Sequence, residues 1–359
     1  MKWQCLPVSE FDGFSPEWDR VGTSIFPIAP FLRSMFIRSL LRQFSRGDEQ
    51  IVCGHDNGVP QIVAILQKTR PAMWQTFQPA QLPLGAFLVA EDLDLTEVLG
   101  SILKAIPGFP LSFGLTQLDP LVLPRPTENS GLETFNYIET ASLQITGTFD
   151  SYWAARGKNL RHNMRKQHSK LAEQGMAPRL EMLSAPQDVE RVLRDYGTLE
   201  SAGWKAAGGT AIHPDNAQGL FYREMLEAYC AAGRARLYRY WFGDRVAAVD
   251  LCITSDETLV ILKTTYDESY QGFSPAFLMR HAAFERLFEE GAIRRIEFYG
   301  KLMDWHKRWS DESRTLYHLN YYRWGGLRRL RSSLRRLRGP KGSSSQSEPA
   351  SGSDSASAA

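Results

Sequence analysis

The chain has little of what marks several common functional classes. It carries only four cysteines in 359 residues, Cys5, Cys53, Cys230 and Cys252, and they are widely spread. There is no CxxC pair, and no Cys/His pair has the spacing of a metal-ligand motif, so no metal is expected. Cys230 falls late in a helical pattern and Cys252 inside an apolar strand, where both read as core packing. No apolar run approaches the roughly 20 residues that span a bilayer. The stretch "MKWQCLPVSEFDGF" contains no apolar signal-peptide core, so a cytoplasmic location is the expectation. Net charge is only +2, which excludes a chain that is strongly basic throughout. No nucleic-acid partner is therefore expected.

What is present is the composition of a globular protein, 43% hydrophobic and 23% charged. A length of 359 residues exceeds one ordinary core and predicts two domains. The last segment, "GPKGSSSQSEPASGSDSASAA", is Ser/Gly/Ala-rich and nearly free of apolar bulk, so residues 339–359 are expected to be disordered. Before it, "RWGGLRRLRSSLRRLRG" sets Trp324, Leu327, Leu330, Leu334 and Leu337 at helical spacing among arginines. Residues 326–338 thus read as a basic amphipathic helix. Either it packs as a solvated helix on its own domain, or residues 324–338 touch an anionic surface such as the inner face of a membrane.

The first part predicts mixed structure. "APFLRSMFIRSLLRQF" and "LTEVLGSILKAI" have helical periodicity, and "QIVCGHDNGVPQIVAILQKT" reads as two strands turning at Asp56-Asn57-Gly58. The strand "NYIETASLQIT" follows a Pro/Asn/Gly-rich loop. The second part opens with "DSYWAARGKNLRHNMRKQHSKLAEQG", read as one helix rich in positive charge. "ARLYRYWFGDRVAAVDLCI" is a hairpin turning at Gly243-Asp244. "TLVILKTTY", "IRRIEFYG" and "RTLYHLNYYR" are expected to complete its sheet. Helices and strands alternate twice in a similar order, which predicts two related α/β domains meeting near residue 145.

Between "TLVILKTTY" and the next helix lies the polar turn "YQGFSPA". Ser274 suits an N-cap and Pro275 the first helical position. Phe277, His281, Phe284 and Phe288 recur at helical spacing, and Gly291 suits the end of the helix. A Gly-containing turn from a strand into a helix N-terminus is also a ready anion site, because free N–H groups and the helix dipole favour negative charge. Both readings fit the residues.

The second half resembles the BioF2-like or CelD-like acetyltransferase domain, within the GNAT superfamily and close to the FemAB proteins. The resemblance is carried by "ESAGWK" (Glu200 to Lys205), "GLFYREMLEAYCAAGRARLYRYWFGDRVAAVDLCI", "YDESYQGFSPAFLM", and "IEFYG" followed by "WHKRW". It spans roughly residues 148–325. It implies an α/β (α+β) fold of two tandem GNAT-like domains, each a mixed, mostly antiparallel sheet flanked by helices. These are a divergent first domain over 1–145 and an acetyltransferase domain over 146–325.

The resemblance also implies that the turn holds the pyrophosphate of acyl-CoA through Gln271, Gly272, Phe273, Ser274 and Ala276. The superfamily pattern there is Q/R-x-x-G-x-G/A, and Ser274 stands where its central glycine is expected. Some FemAB relatives use aminoacyl-tRNA instead. That group typically carries a long helical-hairpin insertion, for which no segment here is long enough.

Acyl transfer from a thioester needs a base for the nucleophile, donors for the oxyanion and an acid for the leaving thiolate. Glu297 occupies a position where the resembling family has an acidic residue and is the acid/base candidate. A surface pair with Arg295 or Lys301 is the alternative. Strand alternation puts Ile296 and Phe298 on one face and Arg295, Glu297 and Tyr299 on the other. Lys307 and Trp309 match the family's K-x-W, with Lys307 binding phosphate or orienting Glu297. Tyr266 and Tyr270 flank the loop as candidate acids. Glu200, Trp204 and Lys205 are expected to shape the acceptor pocket. Asp250 reads either as a substrate-binding carboxylate or as the partner of Lys263 in a buried ion pair. The expectation is an acyl-CoA-dependent N- or O-acyltransferase, with acetyl-CoA as donor and a small-molecule or glycan-precursor acceptor. Its rivals are a FemAB-like aminoacyl transferase and a non-catalytic adaptor of a membrane glycan machine.

Overall fold

The computed structural model describes residues 1–90, 93, 95–202 and 212–329. Trp204, Lys205, the tail and most of the predicted basic helix lie outside the described residues. Of that helix, residues 325–329 are helical, and Arg328 pairs with Glu128 at 2.5 Å. No helix among the described residues is long and apolar enough to cross a membrane.

The chain begins β1 (Lys2–Pro7), α1 (Phe11–Val21), α2 (Ser34–Phe44), β2 (Gln50–Asp56), β3 (Val59–Arg70), β4 (Met73–Thr76) and β5 (Phe87–Val89). It continues α3 (Leu95–Ala105), β6 (Ser112–Leu118), β7 (Leu132–Gln144), α4 (Phe149–Ala155), α5 (Lys158–Glu173), β8 (Pro178–Leu183), α6 (Val189–Ala202) and α7 (Ala217–Ala231). Last come β9 (Ala235–Phe242), β10 (Arg245–Thr254), β11 (Thr258–Tyr266), α8 (Pro275–Glu290), β12 (Arg295–Glu297), α9 (Asp304–Trp309) and β13 (Glu312–Tyr322). The result is the expected mixed α/β class, with mostly antiparallel sheet flanked by helices.

Two compact units share these elements among the described residues: Met1–Glu139 with 314–329, and Thr140–Ser313. In the first, strand order is β1-β2-β3-β4-β6-β13, with β5 on β3. Ile62, Ala64 and Leu66 alternate along β3 and meet Leu99, Ile102 and Leu103 of α3 in one buried cluster. The β2–β3 turn uses Asn57 and Gly58, both at positive φ, as a two-residue hairpin requires. The final strand departs from expectation. β13 does not pair with β12: it pairs antiparallel with β6, Tyr317 facing Leu118, and has β7 on its other edge.

In the second unit the order is β7-β12-β11-β10-β9-β8. Neighbours are antiparallel except β11 and β12. The helix predicted over 150–175 is two helices, α4 and α5, because Arg156 and Gly157 leave the helical conformation and interrupt the pattern. α8 lays Leu278, Met279, Phe284 and Leu287 on Tyr238, Tyr240, Ala248 and Cys252 of the sheet. Gly291, at φ 63°, ends α8 as expected.

Candidate active site

β11 and β12 run parallel for only three residue pairs, Thr258–Arg295, Leu259–Ile296 and Val260–Glu297. β12 then stops, whereas β11 continues to Tyr266. From Ile261 to Tyr266 the edge of β11 that faced β12 has no strand beside it among the described residues. Such an edge offers backbone N–H and C=O groups to an extended, amide-bearing ligand. Glu297 sits where the two strands part.

Beyond Tyr266 the chain forms a 3-10 turn over Glu268–Phe273, capped by the Asp267 carboxylate on the Ser269 N–H at 2.9 Å. Ser274 follows at φ 53°, ψ 54°, and Pro275 starts α8. This corrects the capping expectation for Ser274. A side-chain N-cap needs extended backbone, and the left-handed Ser274 makes no cap hydrogen bond. Its backbone takes the conformation a glycine adopts without strain, at the position where the superfamily pattern has glycine. Ser274→Gly is therefore expected to stabilise the fold by up to about 1 kcal/mol, and Ser274→Ala to be neutral within about 0.5 kcal/mol. Urea unfolding checks both. A loss above about 1 kcal/mol in the alanine variant would restore the capping role.

Gln271 and Gly272 are exposed, and Phe273, Ser274 and Ala276 are half-buried. A side chain added at Gly272 would meet nothing within 4 Å. Ala276, second in α8, has an N–H with no intrahelical acceptor. The loop can thus present backbone donors to an anion. α5 packs against the 3-10 turn. Its Lys158, Arg165 and Lys166 are exposed and have no acidic partner among the described residues.

Glu297 is fully buried and takes a 3.2 Å bond from Arg295 Nη1. Its cation is thus Arg295. Lys307 lies on α9, is 62% exposed and pairs with Asp304 at 3.3 Å, so the proposed support of Glu297 by Lys307 is not what the geometry provides. Ile296 and Phe298 join the α8-side core, as strand alternation requires. Tyr266 is half-buried at the end of β11, and Tyr270 stacks edge-on to Phe242. Trp309 is fully buried among Trp153, Phe277 and Phe284, a core side chain and not a pocket wall. Glu200 is buried on α6 and accepts from the Ile212 N–H at 2.8 Å.

The expected Asp250–Lys263 pair does not form. Leu262 is an extra residue in β11, so Leu251 faces Lys263 and Asp250 faces Thr264. Lys263 turns instead toward the Tyr222 ring, 5.8 Å from its centroid. The cation that acts on Asp250 is Arg280 of α8, without a direct ion pair between them, and the two are 2% exposed each. Thr264 Oγ1, beside Asp250 on the neighbouring strand, accepts from Arg280 Nη2 at 3.3 Å. Burial raises the Asp250 pKa, with Arg280 and Thr264 opposing, and burial lowers that of Arg280. Asp250 Oδ1 and Arg280 Nε have no hydrogen-bond partner. Sequence reasoning missed Arg280. Its signal was a cation three residues after Phe277 and four before Phe284, on the stripe that faces the core.

His306 was missed as well. It is buried against Trp305, and its Nδ1 accepts from the Met303 N–H at 2.9 Å. Burial first, then Arg280, lowers its pKa to about 3. A histidine held neutral in this way contributes stability in full above its unfolded pKa of about 6.5, and loses it as pH falls through the folded value. Below about pH 6.5 stability should drop by up to about 1.4 kcal/mol per pH unit from this group. His306→Asn keeps an acceptor for Met303 and cannot charge, so it should flatten the acid limb of a thermal-melt series. An unchanged limb would assign the loss to other groups.

Residues 158–308 match the family model described as an acetyltransferase (GNAT) domain. No curated protein matches the chain. Among solved structures, the C-terminal domain (DUF2156) of a putative lysylphosphatidylglycerol synthetase from Agrobacterium fabrum aligns at TM-score 0.54 and 13% identity, covering 89% of this chain and 94% of that one. FemX aligns at TM-score 0.53 and 10% identity over 92% and 99% of the two chains. L-PGS from Bacillus licheniformis aligns at TM-score 0.50 and 14% identity over 83% and 92%. The match over residues 158–308 and these likenesses agree on one point: the chain has a GNAT-type acyltransferase fold.

Proposed function

We propose that the protein is an acyltransferase that takes its acyl group from acyl-CoA, acetyl-CoA being the expected donor, and passes it to an amine or hydroxyl of a sugar or glycan precursor. The reading rests on one observation: β11 and β12 part after Val260 and Glu297, and the free edge of β11 leads into the turn at Glu268–Phe273 and the mouth of α8. The amides of the pantetheine arm suit that edge, and the pyrophosphate suits the turn, with Gln271, Gly272, Phe273, Ser274 and Ala276 around it. The cations of α5 add positive potential beside the turn.

In the proposed chemistry Glu297, held by Arg295, removes the acceptor's proton. The acceptor oxygen or nitrogen attacks the thioester carbonyl, the C–S bond breaks, and Tyr266 protonates the thiolate. Glu200 and Asp250 are assigned to the acceptor side.

A FemAB-like aminoacyl transferase is the second reading. The unpaired cations of α5 favour it, since they would also meet a larger polyanion such as tRNA. A thermal-shift comparison separates the two. A CoA thioester at ~100 times its dissociation constant should stabilise the protein by ~2.7 kcal/mol. Stabilisation by aminoacyl-tRNA and none by any CoA thioester would reverse the assignment.

A further inference from the structure

The first unit holds a side-chain cluster that the acyltransfer reading does not use. Cys53 and His55 lie two apart on β2, so their side chains share one face. Glu17 reaches the same place from α1. One ligand atom from each residue, a thiol sulfur, an imidazole nitrogen and a carboxylate oxygen, lies within 4.8 Å of the other two. Cys53 Sγ and His55 Nε2 are 3.6 Å apart.

That separation has a chemical meaning. Zinc bonds to sulfur at about 2.3 Å and to imidazole nitrogen at about 2.0–2.1 Å, so at a tetrahedral angle the two ligand atoms stand about 3.5 Å apart. The pair thus already has the spacing of a tetrahedral edge. The carboxylate closes a third vertex with a small side-chain movement. We propose that Glu17, Cys53 and His55 form a zinc site with three protein ligands and an open fourth position.

The ligand set selects the ion. A thiolate with an imidazole disfavours magnesium and calcium, which take oxygen ligands, and suits zinc. Cys53 is buried, whereas Glu17 and His55 are half-buried, so solvent reaches two of the three ligand side chains. Cys53 is in no disulfide. The Cys-x-His spacing is shorter than that of the usual zinc motifs, and strand geometry with a helix-borne third ligand makes it workable. Sequence spacing alone did not reveal it.

The test is titration of the purified full-length protein with Co²⁺ alone, followed by competition with Zn²⁺. One equivalent of Co²⁺ should bring in a thiolate-to-metal charge-transfer band with tetrahedral visible absorption, and Zn²⁺ should abolish both. Cys53→Ser should remove the charge-transfer band. His55→Gln and Glu17→Gln should each weaken binding by at least about tenfold. Glu17→Gln is half-exposed and isosteric, so it reads the site even if the Cys53 variant folds poorly. Absence of the band in the parent overturns the proposal. So does binding that is unchanged in all three variants, which would place the metal elsewhere.

Discussion

Glu297→Gln is expected to lower turnover by about 10²- to 10⁴-fold with the fold retained. Glutamine keeps the shape of the side chain and an oxygen for the 3.2 Å contact with Arg295 Nη1. It removes only the capacity to take a proton. Arg295 is 23% exposed at its side chain, so water can compensate its charge when the carboxylate is lost. The measurement pairs steady-state turnover with circular dichroism and a thermal melt. Near-normal turnover in a folded variant would move the acid/base role to Glu200 or Asp250.

Arg280→Leu is expected to cost up to about 3 kcal/mol of stability, because it removes the buried cation that acts on Asp250. The partner variant Asp250→Leu should cost a similar amount by stranding the guanidinium. The double variant should lie closer to the parent than either single one, since an apolar pair of similar volume avoids both desolvation costs. Urea unfolding of the three proteins reads this directly. Additive losses in the double variant would mean that the two groups do not act as a pair. The guanidinium also lies over the Trp305 ring, 4.5 Å from its centroid, so some of the single-variant loss is packing.

Much of the local structure was legible in residue order. The hairpins at Asn57-Gly58 and Gly243-Asp244 follow from turn chemistry, and Gly291 ends α8 for the reason any C-terminal glycine does. The alternation that separates Glu297 from Ile296 and Phe298 also holds. Two of the errors concern strand pairing. Counting residues back from the Asp256-Glu257 turn put Lys263 opposite Asp250, and the single extra residue Leu262 changed the partner. β13 was expected beside its sequence neighbour β12, yet it lies between β7 and β6, the latter nearly 200 residues earlier. The β6–β13 pairing is long-range and leaves no local signal.

The candidate site was legible in part. The turn at Gln271–Ala276 and the acidic residue at 297 were singled out from the sequence. Arg280 and His306 were not, since burial is what makes them unusual and periodicity registers it only weakly. Ser274 was misread for a subtler reason. Ser-Pro before a helical pattern is a good capping signal, but the preceding 3-10 turn forces Ser274 into the left-handed region, where its hydroxyl makes no cap hydrogen bond. Trp309 shows the limit of motif matching: a position shared with a family's pattern can hold a core side chain.

The acyl-CoA assignment stands or falls on occupancy of the turn at Glu268–Phe273. The direct measurement is isothermal titration calorimetry of acetyl-CoA into the parent protein and into Gly272→Val. Gly272 is exposed and has open space where a side chain would go, so valine should not disturb the unliganded fold. It would instead intrude on an anion held by the loop's N–H groups. The parent should bind one equivalent, and the variant should bind at least about tenfold more weakly, a difference of about 1.4 kcal/mol. No binding by the parent, or equal binding by both proteins, would contradict the account and leave the turn as no more than the start of a helix.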